Sequence, residues 1–214
     1  MPTNRPSEPW HSFLRDLNER LGEAVQIHCL GGFVATVLYG LPRQTGDVDY
    51  IEARSKSQAE RLLEIAGRNS PLHQKHWVYL QKVTIVTLPE SYAARLRGMF
   101  PWAYERIRLY GLDPYDLALS KLERNSMVDR QDVWHLARTV PLDPKILKER
   151  YEIEMRPYIG RAERPDTEPV VGGVLSAFVM GGVTPWRATR VLCGVPSGIR
   201  TRVAAVKGRC PRPG

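Results

Sequence analysis

Apolar side chains recur at helical spacing near the start of the chain. Over residues 10–24, WHSFLRDLNERLGEA, the residues Trp10, Phe13, Leu14, Leu17 and Leu21 share one face, which predicts an amphipathic helix. VQIHCLGG (25–32) then reads as a strand ending in glycines. FVATVLYG (33–40) reads as a buried helix stopped by Gly40 and Pro42. DVDYIEA (47–53) is strand-like, and SKSQAERLLEIAGR (55–68) is a helix with Ser55 or Ser57 as its cap and Gly67 near its end. HWVYLQKVTIVTL (76–88), rich in Val, Tyr and Thr, predicts two short strands. PESYAARLRGMF (89–100) predicts a helix with Pro89 in its first turn, and ERIRLYGL (105–112) one more strand.

From residue 113 the pattern turns helical. DPYDLALSKLERNSMVDRQDVWHLAR (113–138) starts with Asp113 as cap and Pro114 at the first helical position, and DPKILKERYEIEMRPYI (143–159) repeats that Asp-Pro start. Strands mixed with helices, followed by helices alone, predict an α+β fold. Residues 1–110 form the expected α/β core, residues 111–164 a helical C-terminal portion, and residues 165–214 a basic tail of low order.

The bulk numbers restrict this picture without changing it. A chain of 214 residues has room for one main domain with a sizeable core, and 43% apolar with 25% charged residues is ordinary for a globular protein. Nothing resembles a membrane span, and MPTNRPSEPWHSF lacks the apolar stretch of a secretory leader. Cys29, Cys193 and Cys210 have neither disulfide-framework nor zinc spacing, so the expected compartment is the reducing cytoplasm. The net charge of +8 is uneven: residues 165–214 carry +5 of it. It therefore says little about the core.

The chemistry is concentrated in CLGGFVATVLYGLPRQTGDVDY (29–50). Asp47 and Asp49, two apart on a strand, point to one face and can share one hard cation. Mg²⁺ commonly sits between such carboxylates and substrate phosphates. Gly31 and Gly32 let backbone N–H groups approach a triphosphate with no Cβ in the way. The blander alternatives are a solvated acidic turn after Pro42 and a pair of glycines that simply end a strand.

The stretch LGGFVATVLYGLPRQTGDVDY resembles the signature of the nucleotidyltransferase superfamily with the DNA polymerase β type of fold, namely a Gly-Gly turn, a short helix and Asp-x-Asp on a strand. The lead-in of Arg43 and Thr45 resembles the branch found in abortive-infection and toxin–antitoxin systems. A second block, DPYDLALSKLERNSMVDRQDV, is similar to a helix of that branch whose lysine faces nucleotide phosphates. Lys121 matches that lysine, and Asp129 and Asp132 match its acidic positions. The resemblance spans roughly residues 25–160. It implies a mixed sheet flanked by helices, with Asp47 and Asp49 as catalytic and metal-holding acids. Gly31, Gly32, Arg43, Thr45 and Lys121 would contact the nucleotide. It further implies Mg²⁺ or Mn²⁺ as cofactor, an NTP as substrate, an RNA, protein or small-molecule acceptor, and an antitoxin partner, with no membrane involved. One departure concerns the third acid that many members carry on a later strand. It is expected near position 84, where Thr84 stands, and Glu90 lies past that strand. A catalytically degenerate binding module on the same fold is therefore the alternative.

Other residues carry blander expectations. Lys121 also fits an exposed helix charge, and Asp129 and Asp132 fit surface or capping acids. His28, His73, His76 and His135 share no ligand spacing and read as structural. Trp77, Tyr79, Trp102 and Tyr104 read as core or edge aromatics rather than a base-stacking platform. The tail has no helical or strand period. Gly198-Ile199-Arg200-Thr201 is encodable as the reverse complement of a tRNA T-arm, and the surrounding SGIRTRVAAVKGRCPRP resembles an antisense translation through a tRNA gene. Residues from about 165 thus read as a frameshift product, against a natural nucleic-acid-binding tail as the alternative.

Overall fold

A computed structural model describes residues 5–54, 58–124 and 126–157. The cap candidates Ser55 and Ser57 and the whole of the tail from residue 165 lie outside the described residues.

Helix α1 (Trp10–Arg20) buries Trp10, Phe13, Leu14 and Leu17, as its spacing predicts. Strand β1 (Val25–Cys29) follows, and helix α2 (Gly31–Tyr39) begins at the first glycine of the pair, two residues earlier than the pattern suggests. Gly40 ends α2 in the left-handed region at φ 70°, where its N–H caps the carbonyls of Ala35 and Thr36. Strand β2 (Asp47–Arg54) carries the acid pair, and helix α3 (Gln58–Ala66) comes next.

The segment 71–100 departs most from expectation. Helix α4 (Pro71–His76) is set by Ser70, whose side chain caps the His73 N–H, with Pro71 at the first helical position. A single strand, β3 (Tyr79–Lys82), replaces the two expected, and residues 83–89 run without regular structure. A short 3-10 helix (Glu90–Arg95) stands in place of the predicted α-helix, because Arg97 already opens the edge strand β4 (Arg97–Met99).

Strand β5 (Ile107–Gly111) precedes helices α5 (Pro114–Arg124), α6 (Met127–Thr139) and α7 (Pro144–Arg150), the last extended by a π-helical turn, Tyr151–Met155. The long helix expected over 113–138 is two helices, because Ser126 starts a capping box with Asp129. Arg95 pairs with Asp116 and Glu154 at 2.9 Å each, and Arg150 pairs with Asp113 at 2.8 Å. These bonds fasten the 3-10 helix and the last turn to the start of α5.

The five strands form one mixed sheet in the order β3-β2-β1-β5-β4. β1 lies antiparallel to β2 and parallel to β5, while β2 lies parallel to β3. Val25, Ile27, Cys29, Val48, Tyr50, Leu80 and Leu109 join Phe13, Leu17 and Phe33 in one buried apolar cluster. The sheet is therefore apolar on one face and flanked by helices, the α+β architecture the pattern predicts.

One irregularity decides where the acids point. His28 pairs with Glu52, but Cys29 pairs with Tyr50, so Ile51 is the extra residue of a β-bulge. In unbroken register Tyr50 would share His28's face and Asp47 and Asp49 would turn into the core. The bulge shifts the alternation by one, so Val48 and Tyr50 are buried while Asp47 and Asp49 are only half-buried.

Candidate functional site

Gly31 sits at φ 72°, a conformation that glycine adopts without the Cβ clash other residues suffer. A Cβ there would also run into the carboxylate and Cβ of Asp49. The first glycine of the pair is thus required twice, by its own backbone and by the acid lying against it. The Leu30 N–H donates to the Asp49 carbonyl at 3.0 Å, which ties the turn to β2. Gly32 has more room: a Cβ would lie 3.3 Å from the Arg43 guanidinium and 3.5 Å from the Thr45 Cβ.

These contacts bring together residues from three segments. The Thr45 hydroxyl donates to the Asp47 carboxylate. Arg43 donates to Asp132 Oδ2 at 2.8 Å, and the Lys121 ammonium donates to the same oxygen at 2.6 Å. Asp129 lies 3.8 Å from Lys121. Gly31, Gly32, Arg43, Thr45, Asp47 and Asp49 therefore form one connected cluster, with Lys121 joined to it through Asp132 and Arg43.

Lys121 is buried, which excludes the reading of an exposed helix charge. Asp132 is also buried and ion-paired, so the expectation of a surface acid is corrected: its carboxylate lies where α5, α6 and the Arg43 loop meet. Asp129 is a capping acid, but a buried one. The capping-box sequence Ser-x-x-Asp signals the helix break, whereas the pairing of Arg43 with Asp132, 89 residues apart, has no local signal.

Chemically, the cluster combines two carboxylates on the open side of a sheet with a helix N-terminus. The residue before α2 is Leu30, which has no side-chain acceptor to cap the first N–H groups. Backbone donors at such an end favour an anion. Two carboxylates beside an anion cradle are an all-oxygen donor set of the kind that suits Mg²⁺ or Mn²⁺.

Among the described residues no third acid joins the pair as a metal site. β3 ends at Lys82, so position 84 lies beyond the sheet, and the residue opposite Asp49 on the neighbouring strand is Gln81. Glu52 pairs instead with Arg54 at 3.3 Å and approaches His28 at 3.5 Å. Among the described residues no group of three His, Cys, Asp or Glu side chains gathers as a metal site.

The histidines take structural places. His28 is fully buried between Gln26 at 2.8 Å and the Tyr92 hydroxyl at 3.3 Å, and burial lowers its pKa against the opposing pull of Glu52. Cys29, beneath the acid pair, is also buried; burial first and the Asp49 charge second push its thiol pKa well up. Of the four aromatics, Trp77 is 76% and Trp102 95% exposed, so neither is a core residue.

The mixed sheet carries Asp-x-Asp on the strand after a Gly-Gly helix start, the arrangement that the sequence resemblance implies. The chain matches the family model for a nucleotidyltransferase of unknown function (DUF6036) over residues 14–166, and it belongs to that family. No curated protein and no solved structure matches it. Among the described residues no helix is long and apolar enough to cross a membrane.

Proposed function

We propose that the protein transfers a nucleoside monophosphate from an NTP to a hydroxyl of an RNA, protein or small-molecule acceptor, releasing pyrophosphate. The observation that carries this reading is the contact of Asp49 with Gly31, which sets one of the two acids against the N-terminus of α2. Asp47 and Asp49 would hold Mg²⁺ or Mn²⁺, which when bound supplies charge neutralisation at the phosphates. The first N–H groups of α2 receive phosphate oxygens. Thr45 orients the Asp47 carboxylate through its hydrogen bond. Arg43, 41% exposed on its side chain, offers a guanidinium to the phosphates while Asp132 holds it. Lys121 is a positioning residue here, because its ammonium is spent on Asp132 and it acts through Arg43.

The attacking hydroxyl forms a bond to the α-phosphorus and the bond to the pyrophosphate oxygen breaks. The hydroxyl proton passes to a carboxylate of the acid pair. An antitoxin partner, which the resemblance to toxin–antitoxin enzymes suggests, belongs to this proposal as well.

The test is label transfer from an α-³²P-labelled NTP to total RNA and protein with Mg²⁺. Transfer that disappears in Asp47→Asn supports the reading. Nucleotide binding with no transfer to any acceptor favours the second reading, a degenerate nucleotide-binding module, which rests on the neutral Gln81 opposite Asp49.

A further inference from the structure

A cleft of about 500 Å³ is lined among others by Glu8, Pro42, Arg43, Thr45, Gly46 and Trp77. That volume is in the range of small-molecule sites. Thr45 and Arg43 belong to both the cleft and the cluster around Asp47, so the two are continuous. Trp77, also in the lining, is a large aromatic left 76% exposed.

Trp77 is not a loose surface residue. It caps α4 at φ 57°, with its N–H donating to the His73 carbonyl at 2.8 Å and its ring edge-on to His73 at 6.4 Å. Its own carbonyl packs on Gly46, where a Cβ would come within 2.9 Å. Two residues on, the Tyr79 N–H donates to the Gly46 carbonyl at 2.9 Å, and Tyr79 then stands opposite Asp47 in the sheet. Backbone contacts among Gly46, Trp77 and Tyr79 thus fix the Trp77 main chain beside Gly46, the residue before Asp47.

An exposed aromatic side chain that lines one cleft with a guanidinium and a hydroxyl suits a flat π-faced ring. A ligand with such a ring at Trp77 and phosphates at the acid pair is a nucleotide. We propose that this cleft is the base pocket of the protein, with the Trp77 indole as the stacking surface for the nucleobase of the NTP. The inference rests on the proposed function and adds to it where the base lies. It departs from the sequence expectation, which takes Trp77 as a core or edge aromatic rather than a stacking platform. Stacking tolerates every base, so the pocket binds all four NTPs within a narrow range of affinity.

The test is calorimetric titration of the full chain with Mg²⁺ and each NTP, and in parallel with inorganic tripolyphosphate. Proteins compared are the wild type, Trp77→Ala, Trp77→Phe and Asp47→Asn. Trp77→Ala is expected to weaken every NTP roughly tenfold and to leave tripolyphosphate unchanged, with Trp77→Phe recovering most of the loss. Wild-type affinity for NTP in Trp77→Ala overturns the base pocket and leaves the nucleotide site standing. Equal weakening of NTP and tripolyphosphate also overturns it, because Trp77 would then act on the shape of the phosphate site. If the wild type binds neither probe, the proposed function itself fails and the base pocket with it.

Discussion

At the scale of single residues, Gly31 is the most constrained position of the site. Gly31→Ala costs about 1–2 kcal/mol from the left-handed backbone alone, and its methyl must displace the Asp49 carboxylate. The expected result is a lower melting temperature together with loss of Mg²⁺-dependent NTP binding. Gly32→Ala, with its wider clearance, is expected to keep the fold and most of the binding, and the pair measured by thermal unfolding and titration checks the distinction. Both glycines and both acids were legible in the sequence, because a Gly-Gly turn and an i, i+2 acid pair are local patterns. What the sequence did not show was the contact between them, which depends on a bulge at Ile51. Nothing about Ile51, a good strand former, marks it as the extra residue.

At the scale of elements, two further ion-pair groups among the described residues hold helices in place. Asp132 pairs with both Lys121 and Arg43 at the junction of α5, α6 and the loop before β2. Asp132→Ala leaves a buried ammonium without its close partner and is expected to cost about 3–5 kcal/mol in chemical denaturation. The double variant Lys121→Met, Asp132→Leu is expected to recover part of that loss, because the buried ammonium and its close partner go together while Asp129 keeps its bond from the Ser126 hydroxyl.

The second group fastens α1 to α4, where Asp16 accepts from Lys75 at 2.6 Å and from His76 at 2.8 Å. The hydrogen bond from Lys75 holds the Asp16 carboxyl far below its ordinary value of 3.8, and His76 and Arg15 add to the effect. A carboxylate whose pKa is depressed on folding stabilises the protein above its unfolded pKa, and that stability is lost as pH falls below about 4. Stability measured from pH 7 to pH 2 is therefore expected to fall less steeply in Asp16→Asn than in the wild type, and an unchanged acid limb would contradict the assignment.

Legibility also differed by element. Helices with a clear apolar stripe, such as α1, follow their spacing closely. The segment 76–88 misled because Val and Thr favour strands whether or not a partner strand exists. β3 pairs with β2 only as far as Lys82, opposite Tyr50. Helix α4 was missed because a six-residue helix is too short to show a period, although Ser70-Pro71 is a sound start signal.

At the scale of the whole molecule, the fold serves to hold one strand and one helix end together. β2 sits between β1 and β3 inside the sheet, so the acid pair is supported on both sides. α2 follows β1 directly, which fixes its N-terminus beside β2 through the Leu30 to Asp49 bond. The family match over residues 14–166 covers this unit and ends where the sequence changes character. The frameshift reading of the tail from residue 165 predicts that resequencing the locus finds an overlap with a tRNA gene. An intact frame ending far from any tRNA gene would refute it.

The central claim is that Asp47 and Asp49 form a working metal–nucleotide site. Thermal unfolding of the full chain with Mg²⁺ and each NTP, alongside Asp47→Asn, tests it most directly. The account predicts stabilisation that needs metal and nucleotide together and is lost in the folded Asp47→Asn protein. A well-folded wild type that shows no shift with any NTP, or a shift that survives Asp47→Asn unchanged, would contradict it.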